Sequence, residues 1–186
     1  LRYYLAAKLN NKVEDIDLNF EDYAQRVNSD LVGKYLNIAS RCASFIKKNE
    51  YKLSESINTD LVDELISSKG LIEEHFEARN YSKAVRLIMD LADRVNKYIN
   101  DETPWKKDQT DAASIASTAL NAFNILTIYL RPVLPKLTDE AFKFLNNDKI
   151  SFSDVSTQIT NDINDYKPLL QRIDPIIIPE EENMTE

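Results

Sequence analysis

Only two glycines, Gly33 and Gly70, occur in 186 residues. Glycine is the residue that takes left-handed and tight-turn backbone without steric cost, so this scarcity argues against an all-β domain with its many hairpins. It also argues against a glycine-rich phosphate loop. The apolar spacing points to helices instead. Phe20, Ala24, Val27, Leu31, Tyr35, Ile38, Ala39, Cys42, Phe45 and Ile46 recur at intervals of three and four, the signature of a helix packed on one face. No convincing pair of strands and no internal repeat is found.

The spacing predicts a first helix to about Leu9, broken by Asn10-Asn11 and the acidic stretch Glu14-Asp15-Ile16-Asp17. A long second helix runs from Phe20 to about Lys48, with Asn19 as its N-cap and Glu21-Asp22 suiting its first turn. A third is expected over about Thr59 to Ala78, bent at Gly70. Ser82 is read as the cap of a fourth, ending near Asn100, with Pro104 barring continuation. A fifth opens near Asp111 and stops at Pro132 and Pro135, and Thr138 with Asp139-Glu140 starts a short sixth. Residues 146–165 read as loop, 168–173 as a final turn, and 175–186, with Pro179-Glu180-Glu181-Glu182, as an acidic tail or linker. The fold class expected over 1–174 is all-α, an antiparallel helix bundle.

Several functions are excluded by what is missing. Cys42 is the single cysteine and His75 the single histidine, which removes intrachain disulfides, cysteine-based zinc sites and paired-histidine metal sites. No catalytic residue and no metal ligand is assigned. Cys42 lies on the apolar seam and reads as a buried structural thiol, and His75, amid Glu73, Glu74 and Glu77, as a surface histidine. No run approaches about eighteen consecutive apolar residues, so no membrane partner is expected, and a cytoplasmic setting is the default. The chain opens Leu1-Arg2-Tyr3-Tyr4, without Met and already in helical pattern, as expected of a piece of a longer polypeptide.

A net charge of −8 is unpromising for nucleic-acid binding, because phosphate neutralisation normally supplies much of the affinity. Locally the picture reverses. Opposite the seam centred between Cys42 and Tyr35, Lys34, Asn37, Arg41, Ser44 and Lys48 form one stripe of the long helix. No acid occurs from Leu31 to Asn49, whereas solvated faces usually interleave charge signs. Asn and Arg are also the side chains best able to hydrogen-bond base edges. The alternative for this stripe is a plain solvated face.

A second constellation is Asn96-x-Tyr98-x-x-Asp101-x-x-Pro104-Trp105, followed by Lys106-Lys107. Trp105 is the only tryptophan, placed just past a helix end beside a stiffening proline. It reads either as a core-capping residue or as a platform on which an unstacked base rests.

These residues, together with Leu1-Arg2-Tyr3-Tyr4, Asp17-Leu18-Asn19-Phe20-Glu21-Asp22, Asn37-Ile38-Ala39-Ser40-Arg41 and Leu130-Arg131-Pro132-Val133-Leu134-Pro135, resemble the anticodon-binding domain of bacterial methionyl-tRNA synthetases, class I aminoacyl-tRNA synthetases. The resemblance spans Leu1 to about Asp174. It implies that Trp105 would stack on the cytosine opening the CAU anticodon, that Asn37 and Arg41 would hydrogen-bond anticodon bases, and that Pro104 would hold the indole. Asp93, Asn96 and Asp101 would lie near the same site, the aspartates as discriminators that repel wrong loops. The implied partners are the anticodon loop of methionine tRNA and the catalytic domain of the same polypeptide. ATP, and zinc where present, would belong to that catalytic domain, so no cofactor is expected in this piece. Another class I synthetase branch and a helical protein-interaction module stand as alternatives.

Overall fold

The computed structural model describes residues 1–13 and 15–174; the expected acidic tail, 175–186, lies outside the described residues. Among the described residues there is no strand. Helix α1 (Arg2–Lys8) is followed by α2 (Phe20–Arg26), which passes without interruption through a π-helical stretch, Val27–Tyr35, into α3 (Leu36–Lys48). Two short helices, α4 (Thr59–Ser67) and α5 (Lys69–Glu77), lead to the long α6 (Tyr81–Glu102). A 3-10 turn (Pro104–Lys106), α7 (Gln109–Leu130), α8 (Pro135–Leu145) and a second 3-10 turn (Phe152–Asp154) complete the order.

The expected cap Asn19 holds, its side chain accepting the Asp22 amide at 2.9 Å. The fifth helix opens slightly earlier than Asp111, at Gln109, because Asp108 caps it by accepting the Asp111 amide, also at 2.9 Å. Elsewhere the boundaries move. The third helix breaks at Ser68, whose hydroxyl turns back to the Glu64 carbonyl, and not at Gly70. Ser82 is no cap: α6 begins at Tyr81, and the Ser82 amide donates to the Leu9 carbonyl at 2.9 Å. Thr138 is buried inside α8, because Pro135, with its fixed φ and missing N–H, takes the first helical position. Residues 168–173 form no helical turn.

Helix α7 is the axle. By length and composition it is apolar enough to cross a membrane, yet 94% of that stretch is buried within the bundle. Its buried polar residues fasten the surrounding loops. Ser117 Oγ accepts the Ser54 amide, Thr118 Oγ1 accepts that of Asn58, and Asn121 Oδ1 accepts that of Ile159, at 2.8, 3.0 and 2.8 Å. Thr127 Oγ1 pairs with the Tyr35 hydroxyl at 2.7 Å, and the Tyr35 ring stacks on Phe123 with centroids 4.8 Å apart. Each of these four buried polar side chains thereby has a partner, which is what allows it in the interior. Cys42 is fully buried, and desolvation pushes its thiol up to about 12, so it behaves as a small hydrophobe.

The π-helical stretch explains one glycine. A Cβ on Gly33 would lie 3.1 Å from the Asn28 carbonyl oxygen, five residues back, which is the acceptor position of a π-turn. The Asn28 side chain reaches the other way: its Nδ2 donates to the Ile173 carbonyl and its Oδ1 accepts the Ile173 amide, both at 2.8 Å. Arg2 ties α1 to the double-proline turn through the Pro132 and Val133 carbonyls.

Candidate nucleic-acid interface

The rod from α2 to α3 and helix α6 run parallel, since the 32 residues between them, with two short helices, bring the chain back to its starting side. Three side-chain contacts share one offset of 59 residues: Lys34 to Asp93 at 2.6 Å, Asn37 to Asn96 at 2.8 Å and Arg41 to Asn100 at 2.7 Å. The upper half of the expected outward stripe is therefore a polar seam between two helices. Ser44 and Lys48, farther along, are exposed.

Asn96 is the strut of this seam. Its Oδ1 accepts from Asn37 Nδ2, and its Nδ2 donates to the Lys34 and Ala92 carbonyls, both at 3.0 Å. Asn37 is thus held by its amide nitrogen, and its Oδ1 accepts no hydrogen bond among the described residues. The hydrogen bond to Asp93 raises the Lys34 ammonium above its ordinary value and keeps it charged.

Arg41 donates one Nη2 bond to Asn100 and leans over Trp105, its guanidinium carbon 5.6 Å from the ring centroid. That distance is within the range of a cation–π contact. Helix α6 ends at Thr103, which takes left-handed backbone at φ 47°, ψ 59°. The turn is then stiffened by Pro104, which is buried, and closed by the Lys106 amide on the Thr103 carbonyl at 2.8 Å. The result is an indole that is 53% exposed on a rigid support. It is therefore not a core-capping tryptophan.

Asn37, Arg41, Asn96, Pro104 and Trp105 thus gather at one end of the α3–α6 seam. Asp93 and Asp101 lie exposed on α6, Asp93 paired with Lys34 and Asp101 with Lys97. Asn100 was missed in the sequence reading. Its spacing from Asn96 repeats that of Arg41 from Asn37, a match that has meaning only once the two helices are seen to face each other. Chemically, the site offers a flat aromatic face, a guanidinium with free N–H groups at its edge and an amide oxygen without a donor, a set suited to holding an unstacked base. Among the described residues no group of three or more His, Cys, Asp or Glu could hold a metal ion.

Residues 58–177 match the family model described as the anticodon-binding domain of tRNA ligase, and residues 1–43 match tRNA synthetases class I (M). A methionine–tRNA ligase of Thiobacillus denitrificans is 50% identical over 94% of this chain and 26% of its own length. That of Vesicomyosocius okutanii is 44% identical over 94% of this chain and 33% of its own. The chain thus spans about a quarter to a third of these curated relatives. Apo Mycobacterium tuberculosis methionyl-tRNA synthetase superposes with a TM-score of 0.80 at 20% identity, covering 94% of this chain and 39% of that one, which supports the fold. The same enzyme bound by methionyl-adenylate gives 0.71 at 20% identity, over 80% and 33%.

Proposed function

The chain belongs to the family of anticodon-binding domains of tRNA ligases and matches that region of bacterial-type methionyl-tRNA synthetases, and from this premise we propose that it reads the CAU anticodon of methionine tRNA for a longer, cytoplasmic methionine–tRNA ligase. The observation that carries the proposal is the exposed Trp105 indole beside the Arg41 guanidinium. The first anticodon base stacks on Trp105, and Pro104 keeps the ring in place. Asn37 Oδ1, an acceptor without a donor, suits the exocyclic amine of cytosine and opposes the O4 of uracil. Arg41 donates to the acceptors of the same base or its neighbour. Asn96 positions Asn37, and Asp93 and Asp101 disfavour other loops by repelling misplaced phosphates.

Base-edge readout and stacking lessen the dependence on overall positive charge, which reconciles the role with a net charge of −8. Methionine activation with ATP, and any zinc, belongs in this reading to the catalytic domain of the same polypeptide. The test is Trp105→Ala in the full-length ligase. Stacking is worth ~1–3 kcal/mol per base, so charging efficiency falls roughly 5- to 150-fold while ATP–pyrophosphate exchange is retained. A variant that charges methionine tRNA normally overturns the reading.

A further inference from the structure

We propose that Lys48, Lys106 and Lys107 form a phosphate grip for the RNA strand whose base rests on Trp105, an inference that depends on the anticodon-reading role. Many lysines of this acidic chain have carboxylate partners: Lys8, Lys34, Lys47, Lys52, Lys69, Lys97 and Lys143 are all in ion pairs. The ammonium groups of Lys48, Lys106 and Lys107 have none among the described residues, and all three are exposed. Two neighbouring carboxylates are engaged elsewhere. Glu50 pairs with Lys52, and Asp108 accepts the Asp111 amide at the start of α7.

Geometry brings the three together. The Lys48 end of α3 lies beside the start of α7, two residues past Lys107. Gln109 fixes that placement, because its Nε2 donates to the Lys48 carbonyl at 2.7 Å and ties the end of α3 to the start of α7. Lys106 and Lys107 follow directly on the exposed indole. A base stacked there leads its own backbone past three cations that have no ion-pair partner among the described residues. A polyanion gains from each by releasing a counterion. An RNA strand, with an aromatic base to seat and phosphates to neutralise, satisfies both halves of the surface, whereas an acidic peptide leaves the indole without a ring to stack on.

The test uses Trp105 as its own reporter, since the chain has no other tryptophan. Quenching of its fluorescence by a CAU-loop RNA hairpin is titrated at several salt concentrations. Each single-strand phosphate contact contributes about 0.7 to the slope of log affinity against log salt, so K48Q/K106Q/K107Q has a slope shallower by about 2. The preference for CAU over UAU is unchanged. K48R/K106R/K107R restores the slope, and K136Q/K149Q, remote from the seam in sequence, leaves it as in the original chain. Quenching retained with an unaltered slope in the triple Gln chain overturns the grip alone. Absence of quenching in the unsubstituted chain overturns the anticodon reading, and the grip with it.

Discussion

The amide of Asn37 is bonded to that of Asn96 at 2.8 Å, the middle of three side-chain contacts that join two parallel helices at the candidate site. Asn96→Leu removes the acceptor for Asn37 Nδ2 and both donors that Asn96 supplies to the Lys34 and Ala92 carbonyls. A part-buried polar group left without its partner costs about 1–3 kcal/mol. Urea unfolding is expected to show a loss in that range, with weaker hairpin binding at salt and temperature where the chain stays folded. An Asn96→Leu chain as stable as the original contradicts the strut role.

Thr103 takes left-handed backbone, and a β-branched residue there carries a cost of order 1–3 kcal/mol. Thr103→Gly removes the strain and raises the melting temperature. It also frees the turn that supports Pro104 and Trp105, so hairpin affinity falls while stability rises. Thermal melting and fluorescence titration of the same sample check both. Joint gain or joint loss argues against a strained support.

The two glycines separate in the same way. A Cβ on Gly70 meets nothing within 4 Å, and the position is exposed within α5. Gly70→Ala is expected to stabilise by about 0.5–1 kcal/mol, a rise of roughly 1–4 °C. Gly33→Ala places its Cβ 3.1 Å from a backbone oxygen, so the helix-propensity gain is cancelled or reversed. Parallel melts of the two variants decide it.

Asp22 joins α1 to α2, with Lys8 Nζ at 3.0 Å and Arg26 Nε at 2.9 Å. The hydrogen bond from Lys8, and then the Arg26 charge, hold its carboxyl below the ordinary carboxylate range. The folded pKa is thus depressed, so the carboxylate stabilises the fold above about pH 4 and loses that advantage as pH falls through its folded pKa. Asp22→Asn is expected to be less stable than the original chain at pH 7, with the gap closing below about pH 4. A gap that stays constant across that range rules out the linkage.

Helical class and core were legible because one-faced spacing needs only residue type, and Asn19 was legible because its side chain precedes Phe20 directly. Ser82 and Thr138 misled because a hydroxyl near a helix start can equally lie inside the first turns. The π-helical stretch was invisible to a reading at 100° per residue. Trp105, Asn37 and Arg41 stood out by rarity and spacing. What one helix face could not reveal was its neighbour: the parallel course of α6, and with it Asn100 and the sheltering of Asn37, follows from 32 intervening residues whose path no local pattern encodes.

The clamp between Asn28 and Ile173 shapes the molecule's bearings. Leu1 places its amino group 3.5 Å from the Tyr23 hydroxyl, and Ile173 is bound at Asn28, five residues farther along the same rod. Arg41 stands about 20 Å beyond them on that rod. The bundle accordingly has a root and a tip: Leu1 and Ile173 are moored close together on one part of the rod, and the exposed indole is carried well away from them, like a probe on a boom.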